Sequence, residues 1–265
     1  MTEKGHIGTL YNLLNDIVVA LEPRAEVREY DRDMAEFLFR SESYSESTGG
    51  ESAADGVGIG TIRDAGSTMT VEERQKRLDE LAEEIRTCSR CPLSLGRTNA
   101  VPGEGVLDPL VMLIGEGPGA QEDAEGTPFV GNAGQYLDKW LASIGLFRGE
   151  NVFLANIVKC RPPNNRDPQP TESDSCIPFL KEQIRLVRPR LIVTLGRIST
   201  RILTGTTTGI TRIHGTFYHY EGIPLVPTFH PSGVLRNPAW RRPVWEDLKS
   251  VRNWLIDNAG HTVSE

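Results

Sequence analysis

The chain has 265 residues, of which 38% are hydrophobic and 25% charged, with a formal net charge of −7. This length allows one medium-sized domain with an extension, and the composition is ordinary for a globular protein. No apolar run approaches the ~20 residues that a membrane-spanning helix needs, and the N-terminus lacks a secretory signal pattern, so we expect a cytoplasmic protein.

The charge is distributed unevenly along the chain. Residues 1–70 contain 13 acidic and 6 basic residues, whereas residues 148–252 contain 16 basic and 8 acidic residues. Such an excess of Arg and Lys can neutralise phosphates although the whole chain is acidic. It also fits a solvated surface balanced by nearby acids, and composition alone leaves both interpretations open.

The first seventy residues have the composition of an acidic N-terminal extension. Residues 7–21 carry apolar residues at helical spacing and predict an amphipathic helix. Residues 41–70 are rich in Ser, Gly, Glu and Asp and predict a flexible linker, because they cannot bury enough apolar surface to fold. We expect one domain over residues 71–258 and a short tail over 259–265.

A strongly helical run follows the linker, over residues 71–87. Thr70 is the expected N-cap, and Glu73 completes a capping box three residues later. The helix leads directly to Cys88 and Cys91, which have C-x-x-C spacing.

The centre of the chain is a glycine-rich segment over residues 115–134, GEGPGAQEDAEGTPFVGNAG. It follows the apolar run 110–114, which predicts a buried strand, and precedes an amphipathic run over 135–144. Small residues after a strand let backbone amides approach a ligand, and open α/β sheets bind ligands at the carboxyl ends of their strands. An ordinary tight connection is the simpler alternative for the glycines alone.

Further apolar runs predict strands over residues 151–158, 191–195 and 223–229, and helical patterns occupy 172–187, 197–203 and 244–256. Strands that alternate with helices indicate parallel βα units covered on both faces. We therefore predict an α/β fold, a three-layer α/β/α sandwich around a central, mainly parallel four-stranded sheet, preceded by the N-terminal extension.

Four cysteines occur in a chain that we expect to be intracellular, which favours metal or redox chemistry over disulfides. Cys88 and Cys91 form one close pair, whereas Cys160 and Cys176 are separated by fifteen residues that include four prolines. A four-thiolate site suits a structural zinc or a [4Fe–4S] cluster, and the long arm favours the bulkier cluster. Four unrelated buried cysteines are the alternative.

Taken together, the motifs resemble a known family. GEGPG, PFVGNAGQ, NIVKCRPPNNRDP and TFHPSGVLRNP follow one another in this order, with C-x-x-C before them and Cys176 behind NIVKCRPPNNRDP. This set is similar to the family 4 uracil-DNA glycosylases, which contain an iron–sulfur cluster. The resemblance extends over about residues 87–255, and it has no counterpart for residues 1–70.

The resemblance implies that the chain flips uracil out of single- or double-stranded DNA and hydrolyses its N-glycosidic bond, which leaves an abasic site and initiates base excision repair. The implied cofactor is a [4Fe–4S] cluster held by Cys88, Cys91, Cys160 and Cys176. We expect a monomer, and residues 1–70 are a candidate docking segment for a repair or replication protein.

The resemblance also assigns roles around the base. Asn156 would read the imide edge of uracil, Phe129 would stack on the base, and Gly117 and Pro118 would line the pocket. His230 would donate a hydrogen bond to uracil O2 and stabilise the charge that develops there. Glu116 would activate water and favour the cationic sugar, or would exclude a thymine methyl group, and the sequence leaves both open.

The segment after His230 is the expected DNA contact. Val234 or Leu235 would fill the gap left by the flipped nucleotide, and Arg236, Arg241 and Arg242 would bind phosphates. By itself, each arginine also fits a basic surface turn. His214 is expected to be an ordinary loop or surface histidine.

Two other functions remain open from the sequence. One is a non-catalytic or weakly catalytic uracil-DNA binding module, and the other is a zinc-bearing nucleic-acid module. A lysine nucleophile would indicate a lyase, but the one candidate, Lys159, is expected to bind backbone or phosphate. We therefore expect a monofunctional glycosylase.

Overall fold

Six β-strands form one sheet in the computed structural model, which describes residues 69–260. The strands are β1 (Glu104–Gly105), β2 (Val111–Gly115), β3 (Val152–Asn156), β4 (Leu191–Leu195), β5 (Tyr218–Tyr220) and β6 (Ile223–Thr228). Their order across the sheet is β1-β3-β2-β4-β6-β5. The central four strands are parallel, which confirms the prediction, whereas β1 and β5 pair antiparallel at the two edges. The edge strands were not predicted, because two or three residues are too few for a periodic pattern.

Helices precede, connect and follow the strands. They are α1 (Val71–Arg86), α2 (Ala120–Glu125), α3 (Asn132–Ala142), α4 (Pro170–Val187), α5 (Arg197–Thr204), α6 (Ile210–Ile213), α7 (Pro231–Arg236) and α8 (Arg241–Ala259). The five helices predicted between residues 71 and 256 are present, and the short helices α2, α6 and α7 are additional. The capping box at the start of α1 is confirmed, because Thr70 accepts from the Glu73 amide and the Glu73 carboxylate accepts from the Thr70 amide.

The core forms where helices pack against the sheet. Successive strand side chains point to opposite faces, so each buried strand supplies apolar side chains to two layers. One core cluster joins α1 and α4 to alternate residues of β2 and β3; its members include Leu81, Ile85, Met112, Ile114, Phe153, Ala155, Leu180 and Ile184. The intervening residues of the strands are also buried, as are Leu137 and Leu141 of α3 and most apolar residues of α8. This burial on both faces agrees with the predicted layered architecture.

The strand register places functional positions at one edge of the sheet. Gly115 of β2 is opposite Asn156 of β3, and Leu195 of β4 is opposite Thr228 of β6. The carboxyl ends of parallel strands meet at the same edge, so the segments that follow these residues converge there.

Some sequence predictions lie outside the described residues. These are the helix over 7–21, the linker over 41–70 except its last two residues, and the tail after residue 260. Between residues 69 and 260, no helix is long and apolar enough to cross a membrane.

Candidate functional site

Three loops converge where β2, β3 and β6 end. Backbone hydrogen bonds join the loops that follow β2 and β3. The amides of Ile157 and Val158 donate to the carbonyls of Gly115 and Glu116 at 3.0 and 3.1 Å, respectively. The third loop begins at Phe229, and the ring of His230 lies 6.3 Å from the ring of Phe129, centroid to centroid. The structure thus brings together the side chains of Phe129 and His230, which are 101 residues apart in the sequence.

Asn156 is the last residue of β3, and only 3% of it is exposed. Its Oδ1 atom is buried and has no hydrogen-bond partner among residues 69–260. Gly115 faces this atom across the strand pair, and a Cβ at Gly115 would stand 2.4 Å from Oδ1 and 2.7 Å from the Phe129 ring. The absence of a side chain at Gly115 therefore leaves room beside the amide. A buried acceptor without a partner costs free energy, so this amide is prepared for a ligand.

Phe129 lies in the same loop cluster, 6% exposed, with a backbone φ of +56°. The following backbone is fixed by Glu122, whose carboxylate accepts from the amides of Val130 and Gly131 at 3.0 Å each and from Gly119 at 3.1 Å. Sequence reasoning missed Glu122, because its partners are backbone amides that only the folded loop brings together.

His230 begins the β6–α7 connection and caps α7. Its Nδ1 accepts from the Ser232 amide at 3.2 Å, and the Ser232 hydroxyl lies 2.8 Å from the same atom. Because Nδ1 is an acceptor, the proton of the neutral ring is on Nε2. Burial, and secondarily the charge of Arg236, lowers the pKa of His230 to about 4. The ring is therefore a neutral donor at pH 7.

Glu116 follows β2 and is half-buried. Its pKa is raised to about 7, mainly by burial and secondarily by the nearby Asp167 carboxylate, while Arg197 acts in the opposite direction. Arg197 and Asp167 form an ion pair at 2.6 Å, which joins the start of α5 to the arm between Cys160 and Cys176. The Glu116 carboxyl can therefore exchange its proton near neutral pH.

Lys159 is fully buried between the end of β3 and the cysteines. Its Nζ atom donates to the Asn156 carbonyl at 2.9 Å and to Gln183 Oε1 at 2.6 Å. Burial lowers its pKa to about 8. The side chain is committed to backbone, as expected, and phosphate does not reach a residue that is 1% exposed.

The four cysteines line one pocket, together with Arg97 and Lys159. Three of the sulfurs accept hydrogen bonds from N–H groups. Cys160 accepts from Arg97 Nη1 at 2.9 Å, Cys176 from the Lys159 amide at 3.3 Å, and Cys88 from the Arg90 amide at 3.5 Å. All four thiols are free. Over residues 69–260, no three His, Cys, Asp or Glu side chains form a group that could hold a single metal ion.

The expected DNA-contact segment is only partly accessible. Leu235 is 44% exposed, and Arg236 and Arg242 are exposed, while Arg241 is half-buried. Val234 is 0% exposed, so its expected contact with DNA is wrong. The reason is that one face of the helix α7 packs inward, and Val234 lies on that face with Pro231.

His214 is not an ordinary surface histidine. Its Nδ1 lies 2.8 Å from Asp247 Oδ1, and Thr228 at the end of β6 donates to Asp247 Oδ2 at 2.6 Å. Asp247 is 4% exposed, and burial raises its pKa. This network lies directly beneath Phe229, whose ring is 4.9 Å from that of His214. It therefore supports the loop that carries His230.

Comparison with known proteins defines the class of this fold and site. Residues 102–249 match the family model described as "Uracil DNA glycosylase superfamily". This range contains Glu116, Asn156 and His230, together with all six strands.

Curated relatives narrow the class. The chain is 46% identical over 187 residues to the Type-4 uracil-DNA glycosylase of Saccharolobus solfataricus, which covers 67% of this chain and 86% of that protein. It is 42% identical over 186 residues to the Type-4 enzyme of Thermotoga maritima, covering 69% and 96% of the two chains. The Sulfurisphaera tokodaii relative, of the same name, is 41% identical over 194 residues, covering 70% and 88%. The chain belongs to the Type-4 uracil-DNA glycosylase family.

Proposed function

We propose that this protein excises uracil from DNA by hydrolysing the N-glycosidic bond, as the first step of base excision repair. The observation that carries the proposal is the buried, unpartnered Oδ1 of Asn156, which lies beside Phe129 and near His230 at one edge of the sheet. The family of the chain supports the same substrate, since its Type-4 relatives are named uracil-DNA glycosylases.

The amide of Asn156 reads the base. Its Oδ1 accepts from the uracil N3–H, and its amide nitrogen donates to a uracil carbonyl. Cytosine has no N3–H and carries an amino group at C4, so it leaves buried polar groups unpaired and is rejected. Phe129 stacks on the flipped base, and Gly117 and Pro118 line the loop next to it.

His230 stabilises the leaving group. As the glycosidic bond breaks, negative charge develops on the base, and the neutral Nε2–H donates to uracil O2. A ring that is neutral at pH 7 needs no proton from solvent, and its orientation is fixed beforehand by Ser232. Such preorganised donors contribute about 3–4 kcal/mol to the transition state.

Glu116 acts on the sugar side of the glycosidic bond. As a carboxylate it favours the cationic sugar and orients the attacking water, and a pKa near neutrality lets it accept a proton from that water. Its position between Gly115 and Gly117 also supports a second role, the exclusion of a thymine methyl group.

We also propose a [4Fe–4S] cluster bound by Cys88, Cys91, Cys160 and Cys176. Sulfurs that surround a cavity suit a polynuclear cluster, and N–H donors to the sulfurs are typical of such sites. When bound, the cluster supplies a cross-link between the end of α1 and the arm before α4. Hydrolysis of the N-glycosidic bond transfers no electrons, so we assign the cluster no chemical step.

The exposed residues after His230 are the proposed DNA contacts. Arg236 and Arg242 bind phosphates, Arg241 supports them, and Leu235 fills the space left by the flipped nucleotide. Lys159 is too deeply buried to attack the sugar, which supports a monofunctional enzyme. The protein acts as a monomer, on single- or double-stranded DNA, and residues 1–70 recruit it to a repair or replication partner.

The test is base release from a uracil-containing oligonucleotide, detected by alkaline cleavage at the abasic site. Wild type is expected to cleave the uracil strand and to leave a thymine strand intact. Asn156→Ala and His230→Ala are expected to lower the rate of base release about 100-fold or more. His219→Ala and Asn253→Ala, at exposed positions on β5 and α8, are the matched controls and should keep wild-type rates.

The alternative functions give different results. Binding of uracil-DNA without base release would favour the non-catalytic module. Equal release from the Asn156 variant and the wild type would contradict the proposed pocket.

A further inference from the structure

A single guanidinium lies behind the loop that carries the stacking aromatic. Arg148 follows α3, and its Nη1 and Nη2 donate to the carbonyls of Pro128 and Phe129 at 2.8 and 2.5 Å. Its Nε donates to Asp138 Oδ1 at 2.6 Å, and Nη1 also lies 3.4 Å from Glu104 Oε1. All three nitrogens of the guanidinium are therefore engaged, two of them on the loop itself.

The loop needs an external support at this point. Phe129 has a φ of +56°, in the left-handed region that bulky residues rarely adopt. Gly134 in the first turn of α3 packs against the Phe129 carbonyl so closely that a Cβ there would stand 1.7 Å from the oxygen. Such a conformation persists only where its surroundings hold it, and Arg148 holds the same carbonyl from the other side.

The ring of Phe129 depends on this backbone. Its edge lies against Gly115 and its centroid 6.3 Å from that of His230, so a rotation of the loop would move the ring away from the base site. Small displacements of positioning groups are costly, because stacking and hydrogen bonding to the base must be satisfied together.

We propose that Arg148 is a positioning residue for uracil recognition, which acts by clamping the Pro128–Phe129 carbonyls so that the Phe129 ring stands where the flipped base stacks. The inference rests on the proposed function of the same pocket. It assigns Arg148 no contact with substrate. Lysine cannot replace it fully, because one ammonium lacks the planar fork that reaches both carbonyls and Asp138 together.

The test is a double-mutant cycle between Arg148 and Phe129. Arg148→Met and Phe129→Ala are each expected to lower the single-turnover rate of uracil release about 5- to 150-fold, the range for losing a base-stacking aromatic. Arg148→Met is expected to have less than a twofold effect when Phe129 is already Ala. Arg148→Lys should recover part of the loss. Arg185→Met, which removes an ion pair on the surface of α4, is the matched control and should leave the rate unchanged.

Equilibrium binding of free uracil, followed by calorimetry, gives a second readout that needs no catalysis. Arg148→Met should weaken binding severalfold in the Phe129 background and leave it unchanged in the Phe129→Ala background. Equal effects of Arg148→Met in both backgrounds, by either readout, would overturn the inference. If Arg148→Met fails to fold, the same cycle is run with Arg148→Lys and with Asp138→Ala, and equal effects there are equally decisive. A wild type that binds uracil without releasing it would refute the proposed function and leave the cycle on binding intact.

Discussion

Replacing Glu116 by glutamine should make the protein more stable and less active, with a stability gain that depends on pH. Burial, with Asp167 nearby, raises the pKa of Glu116 from its ordinary value of 4.5 to about 7. Glutamine has nearly the same shape and no charge, so it removes the cost of holding a carboxylate in this position. It also removes the carboxylate that we propose acts on water, and we expect the excision rate to fall about 100-fold or more.

The size of the gain follows from the raised pKa. A change from 4.5 to about 7 corresponds to about 3 kcal/mol at 1.36 kcal/mol for each pKa unit. The side chain is partly open to water, so we take this value as an upper bound and expect about 1–3 kcal/mol. Below pH 4.5 the carboxyl is protonated in both the folded and the unfolded chain, and the penalty is absent. Between pH 4.5 and 7 the unfolded chain binds fewer protons, so the stability of the wild type falls as the pH rises.

The assay is a thermal melt of the wild type and Glu116→Gln at several pH values. At pH 8 the variant should melt about 3–10 °C higher, and near pH 4.5 the two curves should converge. Asp167→Asn is the matched variant, since it keeps the Glu116 carboxyl and lowers its pKa. A melting difference that is constant from pH 4.5 to pH 8 would refute the argument that the carboxylate is strained by burial.

Three further substitutions test other parts of the site. Gly115→Ala should abolish uracil release with little change in circular dichroism, because its methyl group would stand 2.4 Å from Asn156 Oδ1; wild-type rates would contradict the packing. Asp247→Ala should lower the free energy of unfolding, measured with urea, by about 1–3 kcal/mol, since the Thr228 hydroxyl loses its buried acceptor. An unchanged midpoint of urea unfolding would argue against the network of His214, Asp247 and Thr228. Cys176→Ala should remove the absorbance near 400 nm that we expect from the proposed cluster and should lower the melting temperature, whereas an intact spectrum would exclude this cysteine as a ligand.

Much of the fold could be predicted from the sequence, because the central strands are continuous apolar runs and the long helices have clear caps. Thr70 and Glu73 fixed the start of α1 in this way. The motifs likewise predicted which residues follow β2, β3 and β6. The edge strands β1 and β5 could not be predicted, since two or three residues are too few to show a periodic pattern.

The supporting residues of the site were beyond sequence reasoning for a different reason. Arg148 and Glu122 act on backbone carbonyls and amides, and backbone groups leave no side-chain pattern. The error at Val234 has another origin. Nothing in HPSGVLR shows which face of the short helix α7 is buried. His214 and Asp247 are 33 residues apart, and only the packing of α8 on β6 brings them together.

The strand order has a consequence for how the pocket comes into existence. Residues at the ends of β2, β3 and β6 form it, and β4 lies between β2 and β6 in the sheet. The pocket is therefore built from contacts of high sequence separation, which form late and cooperatively in folding. A chain that ends before β6 has the glycine-rich loop and Asn156 but lacks His230, so a nascent or truncated chain has at most an incomplete pocket. The pocket is thus complete only in the full six-stranded sheet.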